Sequence, residues 1–145
     1  MPRKMSRRAP SMFVTALLAV LLASCGSDLL NLDQQWSLQS VRDTTPPYTV
    51  PNAPHDIVIL SAIASLHSDN TYTIKFTGTS DGTAATVGSD AGNWSITSSI
   101  FTFQSSTFNR DYIAALDGNI FRGSVPGEII GSSDPFFDMV FSRGP

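Results

Sequence analysis

From Gln35 onward, apolar and polar residues alternate over short stretches, the signature of strands with one buried face. Trp36, Leu38 and Ser40 point one way, and Val41 marks a bulge or a change of face near the strand end. Asp69-Asn70 reads as a tight turn into the clearest strand, Thr71 to Phe76. There Tyr72, Ile74 and Phe76 share one face and Thr71, Thr73 and Lys75 take the other. Trp94-Ser95-Ile96-Thr97 and Ile100-Phe101-Thr102-Phe103 flank Ser98-Ser99 as a hairpin, although neither serine favours the positive φ that a two-residue turn requires. Tyr112 to Leu116, Ile120 to Val125 and Phe137 to Phe141 complete the regular set, with Asp117-Gly118-Asn119 as a turn between the first two.

Other stretches are less regular. Ile57 to His67 carries Ile57, Val58, Ile59, Leu60, Ile63 and Leu66 with loose alternation. A helix would fit that spacing, but the β-branched residues favour a strand. The loop from Thr44 to Asp56 holds Pro46, Pro47, Pro51 and Pro54, so it contributes no central strand. Thr79 to Gly92 is rich in Gly, Ser, Thr and Asp, with Thr83 to Val87 as a weak strand between turns. Glu128-Ile129-Ile130 is a short piece between Pro126-Gly127 and the turn region Gly131 to Pro135. Eight or nine short strands joined by polar turns predict an all-β antiparallel barrel or a sandwich. A closed barrel would remove the exposed strand edges.

Ahead of this region the pattern changes. Arg3, Lys4, Arg7 and Arg8 precede an apolar run from Met12 through Ala23, and the small residues Ala23 and Ser24 lead to Cys25, the only cysteine. Basic head, short apolar segment and small-residue exit make a secretory signal helix over residues 1–24. The run is shorter than the roughly 20 residues a spanning helix needs, so removal is expected. Gly26 to Gln34 then forms a spacer, giving a lipidated N-terminus and linker over 25–34 and a β domain over 35–145.

Charge separates sharply at that cleavage point. The whole chain carries 9 Lys and Arg against 12 Asp and Glu. Four of the cations lie in the signal, so the remaining 121 residues have a side-chain net charge of −7. Five scattered cations make no basic face, and nucleic acid is excluded as a partner. With Cys25 the only thiol, no intrachain disulfide can form, and stability rests on core packing and sheet closure.

Two resemblances extend this reading. Leu22-Ala23-Ser24-Cys25 resembles the lipobox of bacterial lipoprotein precursors. The resemblance implies cleavage between Ser24 and Cys25, lipid on the Cys25 thiol, acylation of the new amino terminus, and attachment to a membrane. Ser6-Arg7-Arg8 is similar to a twin-arginine signal, but Pro10 and Ser11 stand where that pattern has an apolar pair, so the general secretory route is expected. Gly26, where an aspartate would favour the inner membrane, implies the periplasmic face of the outer membrane. From Trp36 to Arg143, the order of elements resembles small lipocalin-like domains. The resemblance is carried by Trp36-Ser37-Leu38, Leu66-His67-Ser68-Asp69-Asn70-Thr71-Tyr72, Gly92-Asn93-Trp94-Ser95-Ile96 and Val140-Phe141-Ser142-Arg143. It implies a barrel of about eight strands with Arg143 stacked over Trp36 at a closed end; Gln34 stands where that family has a glycine.

The candidate chemistry is sparse. His55 and His67 each lie beside an acid, Asp56 and Asp69, but a hydrolase triad needs a serine converging on them, and no nucleophile-elbow spacing occurs. Their twelve-residue separation matches no zinc spacing. Asp81-Gly82-Thr83 and Asp117-Gly118-Asn119 read as turns rather than calcium loops. No catalytic residue, metal or cofactor is therefore assigned. The expectation is a lipid-anchored envelope β-barrel with a binding or structural role. Its partner would be a small apolar ligand or an envelope protein. The alternative is a solid-core β-sandwich acting as an interaction or assembly module. Phe76, Trp94, Phe101, Phe103, Phe121, Phe137 and Phe141 decide between them, since they either line a cavity or fill the interior.

Overall fold

In a computed structural model that describes residues 33–144, the alternating stretches pair into one antiparallel sheet. The strands are β1 (Gln34–Val41), β2 (Tyr48–Thr49), β3 (Ile57–Leu66), β4 (Thr71–Ser80), β5 (Thr83–Thr97), β6 (Ile100–Ser105), β7 (Arg110–Asp117), β8 (Ile120–Pro126) and β9 (Phe136–Arg143). A 3-10 helix, Gly127–Ile130, lies between β8 and β9. Each long strand pairs with the next along the chain, and β1 pairs with both β9 and β3. The sheet thus closes into an eight-stranded up-and-down barrel, a lipocalin-like topology. The expected signal helix, the expected Ser24/Cys25 cleavage point and most of the linker fall outside the described residues.

Several local features differ from the sequence pattern for identifiable reasons. The proline loop supplies β2, two residues that pair with Val58 and Ile59 beyond the end of the β1–β3 ladder, where a short edge strand tolerates neighbouring prolines. Thr83–Val87 and Trp94–Thr97 belong to one fifteen-residue strand, β5. Gly88, Ala91 and Gly92 interrupt its visible alternation, yet the ladder with β4 runs through them. Glu128-Ile129-Ile130 is the 3-10 helix, ended by Gly131 at φ 73. The anticipated irregularity in β1 falls between Leu38 and Ser40. Ser98 and Ser99 adopt φ 48 and 66, the left-handed pair that a twisted hairpin demands, and the six-pair β5–β6 ladder holds them there.

The inward face is aromatic. Trp36, Tyr72, Phe76, Phe101, Phe103, Phe121, Phe137 and Phe141 are buried, as are Trp94 and Tyr112. Phe121 joins them into a column. Its ring lies 5.1 Å from Trp36 and 4.8 Å from Phe141, with Phe101 and Phe103 each at 6.1 Å. Burying each such side chain contributes about 1.5–3 kcal/mol, and each favourable ring pair about 0.5–1.5 kcal/mol more.

Connectivity gives the barrel two unlike ends. The closed end carries the turns after β3, β5 and β7, the start of β1 and the finish of β9. The mouth carries the 42–56 loop, the Asp81-Gly82 turn, the 106–109 turn and the segment from Gly127 to Pro135.

Candidate functional site

At the closed end, β1 and β9 are paired so that Trp36 stands opposite Arg143. The guanidinium carbon lies 5.6 Å from the indole ring centroid, within reach of a cation–π attraction. Arg143 also donates to the Gln34 side-chain oxygen, and to Asn119 Oδ1 at 2.8 Å. Gln34 thus accepts a hydrogen bond from the arginine that covers the tryptophan. This group joins the first strand, the last strand and the β7–β8 turn, and presents no reactive nucleophile.

The mouth is covered rather than open. Ile129 and Ile130 of the 3-10 helix are buried, as are Val50 and Ile57. The helix runs against β5 at Gly88, where a Cβ would lie 2.2 Å from the Ile129 carbonyl oxygen, so only glycine allows that approach. Polar contacts fasten the 42–56 loop to the segment after the helix. Asp134 accepts from Asn52 Nδ2 at 2.7 Å and from an Arg42 guanidinium nitrogen at 2.8 Å. Ser132 Oγ donates to the Pro51 carbonyl at 2.7 Å, and the Ser133 backbone N–H donates to that of Asn52 at 3.1 Å. Arg42 also lies over the Phe137 ring at 4.1 Å. The hydrogen bond from Asn52, then that from Arg42, holds the Asp134 carboxyl below its usual range, and Asp134 in turn raises the Arg42 guanidinium.

Just below the mouth lies a buried acid. Asp90 on β5 is 4% exposed and accepts hydrogen bonds from Tyr72 of β4 at 2.6 Å, Ser105 of β6 at 2.6 Å and Tyr112 of β7 at 3.0 Å. Ser105 Oγ accepts in turn from the Phe108 backbone N–H at 3.0 Å. Burial first, and then the hydrogen bond to Asp90, raises the Tyr72 hydroxyl; burial and then Tyr72 raise that of Tyr112. Both phenols therefore remain protonated donors at ordinary pH. The cluster ties four successive strands together where the β5–β6 ladder stops at Gly92↔Ser105. Sequence inspection missed it because Ser89-Asp90-Ala91 reads as a turn. Its available signal was the two tyrosines on inward positions, each of which needs a polar partner when buried.

The histidines do not meet. His55 precedes β3 at the mouth and His67 follows it at the closed end, with ten strand residues between them. His55 Nδ1 lies 3.0 Å from Asp81, whose other oxygen accepts from the Asp56 backbone N–H. That backbone contact, followed by His55, lowers the Asp81 carboxyl. His67 lies 3.9 Å from Asp33. Asp69 accepts from Thr71, whose hydroxyl and N–H hold its carboxyl low; together they close the turn into β4. No group of three metal-ligating side chains occurs among the described residues. Cys25 and Ser24 lie outside them.

Fold and side-chain arrangement together define a small closed β-barrel with an aromatic interior and a strapped mouth. Comparison with protein-family models, curated proteins and solved structures finds no match to this chain.

Proposed function

We propose that this protein is a lipid-anchored β-barrel of the bacterial cell envelope, attached through acylated Cys25 and held at the periplasmic face of the outer membrane. In this reading it performs no chemistry and serves as a binding or assembly module that meets an envelope protein on its outer wall. The observation that carries the choice of surface is the interior, where interlocked aromatic rings occupy the axis and Ile129 and Ile130 cover the mouth. A module of this kind needs a rigid wall, and the Asp90 cluster supplies lateral ties that a flexible pocket would lack.

The test combines labelled-palmitate incorporation, membrane fractionation and photo-crosslinking from outward positions on each strand. The expected results are palmitate on the wild type and none on Cys25→Ser, envelope fractionation, and protein crosslinks from the wall. An unlabelled, non-sedimenting protein would overturn the anchor. Wall probes that capture no protein would overturn the interaction reading.

A second reading, carriage of a small apolar ligand, has one specific observation in its favour: the indole N–H of Trp36 is buried without a hydrogen-bond partner among the described residues. A ligand acceptor would satisfy it, as would a single buried water. A lipid co-purifying in native mass spectrometry would favour the carrier.

A further inference from the structure

We propose that the notch between β7 and β8 docks an extended, basic peptide segment of a partner polypeptide; the proposal rests on the outer-wall interaction reading and gives it a site. The wall leaves its ladders early in three places near the mouth. Beside the upper half of β3, β2 adds a short replacement strand. Beside β5, the 3-10 helix backs Gly88, and Ser106 donates to the Ala91 carbonyl at 2.9 Å. The third place has no such cover among the described residues. β7 pairs with β6 from Arg110 through Ala115, but its register with β8 begins only at Ala114↔Gly123. β8 meanwhile stays with β9 as far as Pro126. Arg110–Ile113 therefore presents an unpaired side toward β8.

The resulting notch, ≈ 370 Å³, is lined by Asp111, Tyr112, Ile113, Ser124 and Phe136. Unpaired strand backbone is a template for another strand, and backbone pairing selects an extended segment over a compact ligand. Apolar contact comes from Ile113, 58% exposed, and Phe136, 45% exposed. Charge chooses the sign of the segment. Arg110 is already placed between Glu128, at 3.6 Å, and the Phe136 ring, at 5.8 Å. Asp111 lines the notch and enters no ion pair among the described residues. Asp111 and Ile113 lie two residues apart on the outward face of β7, so an added strand that sets an apolar residue on Ile113 and Phe136 meets Asp111 with a Lys or Arg two positions away on that same face.

The decisive experiment titrates the full chain, held in lipid nanodiscs, with the blocked heptapeptide acetyl-Thr-Lys-Thr-Val-Thr-Lys-Thr-amide, which carries its valine and both lysines on one face, while backbone amide resonances are followed. Two controls keep its shape: one with alternate backbone nitrogens methylated, the other with both lysines replaced by glutamate. The expected result is saturable shifts at Arg110–Ile113 and Ser124, with each control at least tenfold weaker. Asp111→Asn should reduce the Lys-over-Glu preference several-fold while leaving the methylation effect intact, and Ile113→Thr should weaken both charged peptides alike. Equal binding of the methylated peptide, shifts centred on the exposed Leu60 and Ile63 of β3, or no shifts at millimolar peptide would each overturn the site. Because no cellular partner takes part, failure here is distinguishable from failure of the crosslinking test, which judges the wider reading.

Discussion

The two ends of the barrel are held by different physics. At the closed end, short turns join long ladders, and Arg143 caps a tryptophan that is 1% exposed. At the mouth, long segments cross the opening and are fastened by contacts at the surface: Arg42 and Asp134 keep 40% and 19% of their side-chain area exposed. Solvent competes for such contacts and salt screens them, so the pair adds little to global stability while still choosing where the loops rest. The base of the barrel therefore rests on burial, and the loops across its mouth on exposed polar contacts. A fold of this kind can loosen at the mouth without unravelling at the base.

The largest loss of stability should come from emptying the closed end. Trp36→Ala removes a ring packed against Phe121, and should cost about 3–5 kcal/mol in urea denaturation, through lost burial plus the cavity left behind. A loss under 1 kcal/mol would mean that the base is not where the barrel is secured. Next comes the tie below the mouth. Asp90→Ala leaves the Tyr72, Ser105 and Tyr112 hydroxyls without their acceptor, at a net cost of about 1–3 kcal/mol because water entering the vacated space takes up part of their hydrogen bonding. Adding Tyr72→Phe to that variant should recover part of the loss, which a double-mutant cycle would measure.

Smaller and more local effects are expected at the mouth itself. Gly88→Ala forces a methyl group into the space of the Ile129 carbonyl and should lift the 3-10 helix. Hydrogen exchange should then quicken at Gly127–Ile130 more than at β1 or β9. The smallest effect belongs to the strap. Asp134→Asn should leave the denaturation midpoint nearly unmoved yet speed exchange at Ser132 and Ser133. Acid should mimic it. The folded Asp134 carboxyl titrates below its ordinary value of 3.8, so the strap's contribution is fully present above that value and is lost as pH falls through the depressed one. Wild type should acquire the fast-exchanging mouth at low pH, whereas the Asn variant should show it at every pH.

Much of the fold was legible in the residues because a half-buried strand writes its burial into every second position. Tyr72, Ile74 and Phe76 are buried as their alternation required, and Asp69-Asn70 makes the expected turn, with Asn70 at φ 67. Legibility failed where side chains gave no alternating signal. Glycines and alanines hid the middle of β5, and Ile129-Ile130 was too short for any period to distinguish a strand from a 3-10 turn. The candidate surfaces were less legible still. Asp90 meets Tyr72, Ser105 and Tyr112 only because β4 to β7 lie side by side. The β7–β8 notch is a missing stretch of ladder, a property of register that no single segment encodes.

Alternation, turn residues and the absence of a thiol pair within the β region determined by themselves that this chain builds an antiparallel β structure stabilised by packing. Each of those constraints acts between residues near in sequence. Closure into eight strands, the strap across the mouth and the gathering of hydroxyls around one buried acid were decided only by the tertiary structure. They depend on β1 finding β9 and β3 at once, a long-range geometric condition that local pattern does not express.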